Sequence, residues 1–270
     1  GSCMGMYLYL KKALPGAQID VYLEKPADIF DCIHGIEDVR TDCSKDCVYD
    51  VFIVLDTSKE RLGDAEKYFR TAKKTINVDH ISNASGCGNV NYCKPDASSA
   101  SELVYELLEE KYMDAEIAKA LYLGIVHDTG VFQYSNTTPD TLRIAANLLA
   151  YGFDFSKLID ETFFEKTYVQ NQVLGRALLE SVRFMDGKCI FSSIDLKTME
   201  FYKVVPKDLD GIVSQLRITK GVECAIFLYQ TKTLEYKVSL RSNGKVDVAA
   251  IASYFGGGGH VRAAGCTMQG

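Results

Sequence analysis

The chain of 270 residues has no tryptophan, only five prolines and four histidines, and a shortage of positive charge. Its 30 lysine and arginine residues are outnumbered by 36 aspartate and glutamate residues, which gives a formal net charge of −6. Proteins that bind duplex DNA rely on a basic surface, so this balance argues against duplex DNA as a partner. It is compatible with a small phosphorylated ligand held by a few local cations or metal ions.

The sequence also lacks long apolar runs. No run reaches the length of a membrane-spanning helix and no signal peptide is visible, so we expect a cytoplasmic protein without a membrane partner. Nine cysteines, odd in number and irregularly spaced, favour reduced thiols over a disulfide framework. The pairs Cys43/Cys47 and Cys87/Cys93 have no matching Cys/His pair at zinc-site spacing.

The hydrophobic content of 47% is enough for a sizeable core, and the length allows two domains. The pattern predicts an α/β protein whose first part is a doubly wound, mostly parallel sheet. Strands are expected at residues 19–23, 50–56 and 75–79, and helices at 5–14, 64–73, 98–111, 115–126 and 141–150.

The second half of the chain predicts a smaller α/β unit with a mixed sheet. A helix at 169–181 is interpreted as a connector, followed by strands at 188–194, 222–229 and 235–241 and helices at 209–216 and 246–254. We therefore predict a first domain at 1–165, a helical connector at 166–184 and a second domain at 185–270.

Acidic residues stand at the predicted ends of elements. Asp56 closes an apolar strand, Asp79 closes the next one with His80 directly after it, and Asp128 ends a helix. Open α/β sheets bind ligands outside the carboxyl ends of their strands. Each aspartate alone is more often a helix or turn cap. Three carboxylates and a histidine in one crevice, however, are typical ligands of Mn²⁺ or Mg²⁺, which could activate water for attack on a phosphoryl group.

A run of four glycines, Gly256–Gly259, precedes His260 near the C-terminus. Such a backbone lets a ligand approach its N–H groups closely, and the histidine supplies a titratable donor, so the run predicts an anion cradle. The alternative is a flexible turn before the final strand. The run is neither a P-loop, because no Lys-Ser/Thr follows, nor a dinucleotide fingerprint, because it does not open a helix.

Four stretches carry a family resemblance: Asp56-Thr57-Ser58 with Arg61-Leu62-Gly63, Asp79-His80 with Ser82-Asn83, His127-Asp128-Thr129-Gly130-Val131-Phe132, and Gly256–Gly265. In order and spacing they resemble the motifs of the DHH/DHHA1 phosphoesterases, over nearly the whole chain. The resemblance is closest to the stand-alone members that degrade nanoRNA, dephosphorylate 3′-phosphoadenosine 5′-phosphate (pAp), or hydrolyse cyclic-di-AMP and its linear product pApA.

The resemblance implies a manganese-dependent phosphoesterase whose dinuclear centre lies between two domains; Mg²⁺ is an alternative ion. It implies metal-binding and catalytic roles for Asp56, His80 and Asp128, with Asp79 as a supporting catalytic residue. It also implies substrate binding by residues of the second domain, namely Arg241, Gly257, Gly258, Gly259 and His260. The expected substrate is a short oligoribonucleotide or an adenine mono- or dinucleotide.

Two departures from the family pattern leave alternatives open. The first motif of the family, a histidine followed by an Asp-x-Asp pair, is expected upstream of Gly1 in a longer parent protein. Asp79-His80 runs straight into Ile81, where a second histidine is expected, so either one residue is deleted here or Ile81 replaces that histidine with a later gap. A catalytically impaired nucleotide-binding module and a protein like the family II inorganic pyrophosphatases therefore remain alternatives. The oligomeric state is open, with a homodimer among the options.

Overall fold

The structure is a computed structural model that describes residues 1–80 and 86–270. It divides into two compact units, residues 1–165 and residues 166–270. Each unit has its own sheet, which confirms the predicted α/β class. Within the described ranges, no helix is both long and apolar enough to cross a membrane.

Among the described residues, the sheet of the first unit has three parallel strands in the order β1-β2-β3. They are β1 Val51–Leu55, β2 Lys74–Asp79 and β3 Val90–Cys93. The apolar, β-branched sequence of β1 suits a strand of a parallel sheet. Leu55 lies opposite Val78, so β1 and β2 end at the same edge of the sheet.

The strand predicted at 19–23 is wrong. That segment forms only an isolated bridge between Tyr22 and Arg40, although its residues alternate between apolar and polar as a strand would. The physical reason is Asp20, whose side chain is bound by Arg40, Lys45 and Tyr49. Among the described residues, the backbone of this segment pairs only with Arg40, through the Val21 carbonyl and the Leu23 amide, and the side-chain contacts of Asp20 hold the segment beside it. Strand β3 was not predicted, because four residues give too short a pattern.

The helices of the first unit are α1 Ser2–Ala13, α2 Glu66–Thr71, α3 Ala100–Leu107, α4 Ala115–Thr129, α5 Pro139–Leu149 and α6 Phe155–Ile159. Helix α4 is buried on most sides and contributes many of the core residues. It begins at the cap Asp114, which accepts a hydrogen bond from the Ile117 amide, and ends at Gly130 in the left-handed region.

The second unit has a six-stranded mixed sheet in the order β4-β5-β6-β7-β9-β8, in which only β5 and β6 are parallel. The strands are β4 Val182–Phe184, β5 Cys189–Ile194, β6 Cys224–Lys232, β7 Glu235–Ser242, β8 Gly258–His260 and β9 Ala263–Gln269. The helices are α7 Tyr168–Leu179, α8 Leu196–Tyr202, α9 Ile212–Arg217 and α10 Val248–Tyr254.

Two separate apolar clusters cover this sheet. Residues of α7 and α9 pack with Ala225 and Phe227 of β6. Residues of α10 pack with Leu240 of β7 and Ala264 of β9. Helix α7, expected as part of a connector, contributes buried residues to the first of these clusters and belongs to the second unit.

Candidate metal centre and glycine face

Three of the predicted site residues come together in the first unit. Asp56 follows β1 directly, His80 follows β2, and Asp128 lies in the last turn of α4. One ligand atom of each lies within 4.8 Å of the others. We call Asp56, His80 and Asp128 the acidic centre. The common edge at which β1 and β2 end accounts for the first two members, and the packing of α4 against the same core adds the third.

His80 is held from two sides. Its Nε2 lies 3.2 Å from Asp56 Oδ1, and its ring also donates a hydrogen bond to the Ala97 carbonyl. The hydrogen bond to Asp56 raises the pKa of His80 above its ordinary value, against the opposing effect of burial. A histidine held by a backbone carbonyl has a fixed ring orientation, which is the arrangement that metal-ligating histidines commonly show.

Asp128 lies in an environment that disfavours a bare negative charge. Loss of hydration, followed by the nearby charge of Asp56, raises the pKa of Asp128 to about 6. Two carboxylates and an imidazole are ligands that suit a divalent cation such as Mn²⁺ or Mg²⁺, and such a charge would offset the repulsion between the carboxylates. The residues present therefore fit a metal ion.

Backbone strain accompanies the acidic centre. Asp56 has φ of 58°, and Val131 and Phe132, which follow Gly130, have φ of 57° and 64°. Left-handed backbone is rare for a β-branched residue and costs on the order of 1–3 kcal/mol per residue. Hydrogen bonds hold these positions: the Asp56 amide donates to the Val78 carbonyl at 3.0 Å, and the Phe132 amide donates to Thr129 Oγ1 at 3.0 Å. Such strain is typical of functional sites.

Asp79, the fourth residue predicted for catalysis, does not belong to the group of three potential ligands found among the described residues. It is 4% exposed at the end of β2, and its carbonyl accepts a hydrogen bond from the Lys94 amide. Its supporting role stays a prediction. The departure at Ile81, and the matched Ser82 and Asn83, lie outside the described residues.

The predicted substrate-binding residues lie in the second unit. Arg241 of β7, Ala263 of β9 and His260 of β8 are directly opposite one another across three neighbouring strands. Residues in such positions point to the same face of a sheet. The neighbouring residues Leu240 and Ala264 pack in the α10 cluster, so the Arg241 row points to the opposite face.

A second row on this face lies next to the first and is nearly free of side chains. It consists of Ser239, Gly265 and Gly258, paired across the same three strands. We call the two rows together the glycine face: Arg241, Ala263, His260, Ser239, Gly265 and Gly258. The small residues leave the space between Arg241 and His260 open, and the Arg241 guanidinium is anchored through Nη1 to the Leu240 carbonyl at 3.0 Å.

The glycine run differs from the expected loop because residues 258–260 form the edge strand β8. A Cβ at Gly257 would lie 2.2 Å from the Gly265 carbonyl oxygen, and one at Gly259, whose φ is +148°, would lie 2.5 Å from that of Ala263. Gly256 has φ of +75°. These three glycines thus have structural reasons to be glycine. A Cβ at Gly258 would meet no described atom within 4 Å, so its lack of a side chain has no packing cause.

Both halves of the chain match models of known protein families. Residues 1–125 match the DHH family N-terminal domain, and residues 186–270 match the DHHA1 domain. A protein of Streptococcus mutans named "Probable bifunctional oligoribonuclease and PAP phosphatase NrnA" is 32% identical over 219 residues, which are 79% of this chain and 68% of that protein. The chain belongs to the DHH/DHHA1 family. The resemblance noted in the sequence is confirmed.

Other DHH/DHHA1 relatives agree with this assignment. A bifunctional oligoribonuclease and PAP phosphatase NrnA of Thermus thermophilus is 33% identical over 198 residues, which are 72% of this chain but only 59% of the relative's length. The protein of the same name from Bacillus subtilis is 27% identical over 273 residues, 99% of this chain and 84% of the relative. The fold is also that of a crystallised exopolyphosphatase-related protein from Bacteroides fragilis, with TM-score 0.86, 23% identity, and coverage of 98% of this chain and 82% of that one.

One polar residue beside the acidic centre has no motif to mark it in the sequence. Asn136 donates a hydrogen bond from Nδ2 to the Asp128 carbonyl at 3.1 Å. Asn136 lies eight residues after Asp128, past the strained turn, in a stretch whose sequence is typical of a polar loop. Only the folded arrangement connects it with the acidic centre.

Proposed function

We propose that this protein is a metal-dependent phosphoesterase that hydrolyses short nucleotides at the acidic centre. The observation that carries the proposal is the convergence of Asp56, His80 and Asp128 within 4.8 Å of one another. The names of the relatives, oligoribonuclease and PAP phosphatase, support the substrate class. Mn²⁺ is the proposed ion, with a pair of ions as the full complement.

When bound, divalent ions of this kind lower the pKa of water to give a nucleophile and neutralise charge on the phosphoryl oxygens. The residues of the chain have defined parts in this arrangement. His80 presents Nε2 toward Asp56, in an orientation fixed by the Ala97 carbonyl. Asp128, whose pKa is raised in the ion-free protein, supplies a second negative charge that a nearby cation stabilises in its ionised form.

We propose that the glycine face binds the phosphate of the substrate. The planar guanidinium of Arg241 suits two-point recognition of phosphate oxygens. His260 lies two strands away, a spacing of roughly 10 Å between backbones, with only the small Ala263 between them. A phosphate group can therefore approach the sheet between the two side chains, where Gly258 and Gly265 leave the backbone uncovered.

Short substrates fit the chain better than long single strands. Long strands require a basic groove lined with aromatic side chains. Exposed aromatics are present near the glycine run, since Tyr254 is 85% exposed and Phe255 is 44% exposed, but the sequence there has no lysine and arginine track to accompany them. We therefore propose nanoRNA, pApA, pAp or cyclic-di-AMP as the substrate class.

The test compares the wild-type protein with Asp128→Asn and with a control, Asp140→Asn, which alters an exposed carboxylate of α5. Each is incubated with Mn²⁺ and pApA, pAp or a long single-stranded RNA, and the released products are separated by chromatography. We expect Mn²⁺-dependent hydrolysis of the short substrates by the wild type and the control. We expect Asp128→Asn to lower the rate of hydrolysis by at least about 100-fold. Loss of an outer hydrogen-bond partner of a metal ligand costs up to about 100-fold in activity, and loss of a ligand should cost no less.

Hydrolysis at wild-type rate by Asp128→Asn would rule out the acidic centre as the catalytic site. If the wild type binds pApA tightly in calorimetry but does not hydrolyse it with Mn²⁺ or Mg²⁺, the protein is a nucleotide-binding module. Release of phosphate from pyrophosphate, without turnover of nucleotides, would instead indicate a pyrophosphatase.

A further inference from the structure

A buried carboxylate is connected to the acidic centre through a series of hydrogen bonds. Glu102, in the first turn of α3, is 4% exposed. Its Oε2 accepts hydrogen bonds from the Ser98 amide at 3.2 Å, from Ser98 Oγ at 2.5 Å and from Thr141 Oγ1 at 2.8 Å. A buried carboxylate is costly unless such donors satisfy it. Here they tie residue 98, just before α3, to the first turn of α5.

The hydrogen bonds of Glu102 differ from those of an ordinary helix cap. Ser99 is the cap of α3, and its side chain accepts from the Glu102 amide at 3.1 Å. In a capping box the glutamate would bind the amide of the cap residue in return. Glu102 binds the residue before the cap instead, so its carboxylate fixes the segment that leads into the helix.

Asn136 connects that segment with the acidic centre. Its Nδ2 donates both to the Ser98 carbonyl at 2.9 Å and to the Asp128 carbonyl at 3.1 Å. The orientation of the amide is determined, because a flipped side chain would place its oxygen against two carbonyl oxygens. One side chain therefore joins the residue that Glu102 anchors to the backbone of a proposed metal ligand.

The same segment also orients the histidine of the centre. Ala97, directly before Ser98, is the residue whose carbonyl accepts the hydrogen bond from the His80 ring. Residues 97 and 98 therefore contact both sides of the acidic centre: Ala97 holds His80, and Ser98 holds Asp128 through Asn136. Ser98, Ser99 and Thr141 are fully buried, which leaves little room for the segment to move.

We propose that Glu102 and Asn136 are positioning residues of the acidic centre, which set the separation of His80 from Asp128 and thereby its affinity for a divalent ion. The inference rests on the proposed function. Outer hydrogen-bond partners of metal ligands typically change metal affinity by about 10–100-fold when they are removed. The hydrogen bonds of Glu102 and Asn136 described above go to other groups than the ligand atoms, so each residue acts through the backbone of residues 97, 98 and 128.

The experiment measures Mn²⁺ affinity by calorimetry for the wild-type protein, Asn136→Ala, Glu102→Met and Glu102→Gln. The control is Asn147→Ala, which removes an exposed amide from α5. Variants are compared when they melt cooperatively. We expect affinity to fall about 10–100-fold in Asn136→Ala and Glu102→Met. We expect Glu102→Gln, whose amide oxygen still accepts from the same donors, to bind close to wild type.

A second readout separates positioning from general destabilisation. If Asn136 sets metal affinity, saturating Mn²⁺ restores most of the pApA hydrolysis lost in Asn136→Ala. A folded Asn136→Ala protein with wild-type Mn²⁺ affinity would overturn the inference, as would equal losses in Glu102→Gln and Glu102→Met. If the wild type itself does not bind Mn²⁺, the proposed function fails and the inference falls with it. Wild-type binding with unaffected variants refutes the inference alone.

Discussion

The acidic centre gathers charged side chains where elements end, whereas the glycine face lies where side chains are nearly absent. In the first, Asp56, His80 and Asp128 are brought close, although burial, followed by the charge of Asp56, raises the pKa of Asp128 to about 6. In the second, three strands expose their backbone between Arg241 and His260. The first region combines charged side chains with strained backbone, whereas the second combines two polar side chains with uncovered backbone.

This contrast teaches which substitutions each region tolerates. A site made of charged ligands loses its chemistry when a functional group changes, even if the shape is kept. A site made of exposed backbone binds its ligand less tightly when a side-chain atom obstructs the approach to the backbone, even an apolar one.

The strongest test of the first region is at Asp56, whose φ of 58° is left-handed. Asn tolerates this backbone, and Asp56→Asn also removes the repulsion with Asp128. We expect the ion-free Asp56→Asn protein to be at least as stable as the wild type, yet to bind Mn²⁺ more than about 100-fold more weakly, beyond the effect of outer partners. Thermal melting and calorimetry measure the two quantities.

Asp56→Ala is the matched variant, since alanine lacks both the carboxylate and the tolerance for left-handed backbone. We expect it to lose metal binding as well, and to be less stable than Asp56→Asn by about 1–2 kcal/mol. Equal stabilities of the two variants would show that the backbone strain has no energetic weight. Wild-type Mn²⁺ affinity in Asp56→Asn would remove Asp56 from the centre.

The second region is tested by two adjacent glycines. A methyl group at Gly257 would lie 2.2 Å from the Gly265 carbonyl oxygen, whereas one at Gly258 has open space among the described atoms. We expect Gly257→Ala to destabilise the second unit by about 3 kcal/mol, the upper end of overpacking effects. We expect Gly258→Ala to melt like the wild type but to raise KM for pApA about tenfold with kcat retained, because it obstructs substrate binding.

Melting curves and steady-state kinetics on both variants give the result. If Gly258→Ala has the wild-type KM, the glycine face does not bind substrate, and the run of glycines serves only the pairing of β8 with β9. If Gly257→Ala is as stable as the wild type, the strand pairing adjusts more readily than close packing allows.

A third test uses a carboxylate that contrasts with Asp128. Burial alone would raise the pKa of Asp20, but hydrogen bonds from Lys45, Tyr49 and Arg40 outweigh it and lower the pKa below its ordinary value. Because the folded-state pKa is depressed, the stabilisation is present above the unfolded pKa of about 3.9 and is lost as pH falls through the folded-state pKa. Asp20 therefore contrasts with Asp128, for which burial and the charge of Asp56 prevail over the nearby positive groups and raise the pKa to about 6.

We expect Asp20→Asn to lower the free energy of unfolding by about 1.5 kcal/mol at pH 7, with a smaller difference at pH 3. Urea unfolding at the two pH values measures this. Asp50→Asn is the control, because Asp50 and its partner Lys73 are both exposed and should contribute little. A loss for Asp20→Asn that is the same at both pH values would mean that its charge is not responsible.

Much of the fold follows from local patterns in the sequence. The apolar run of β1, the serine cap of α3 and the Asp114 cap of α4 each have a local physical cause, and the structure has these elements within a few residues of their predicted bounds. The α/β class and the family could be predicted for the same reason, because periodicity and ordered motifs are properties of the chain itself. The segment 19–23 was mispredicted as a strand because its backbone pairs with Arg40 alone among the described residues, while its Asp20 takes part in tertiary contacts that no local pattern encodes.

The order of residues along the chain is enough to identify the candidates for the site: aspartates at strand ends, one histidine after β2, and a glycine run before His260. The tertiary structure alone decided their arrangement. It placed Asp128 beside Asp56, aligned Arg241 with His260 across Ala263, distinguished Gly258 from its neighbours, and joined Glu102 and Asn136 to the centre. These relations depend on packing and register between residues far apart in the chain, and no local pattern encodes such distances.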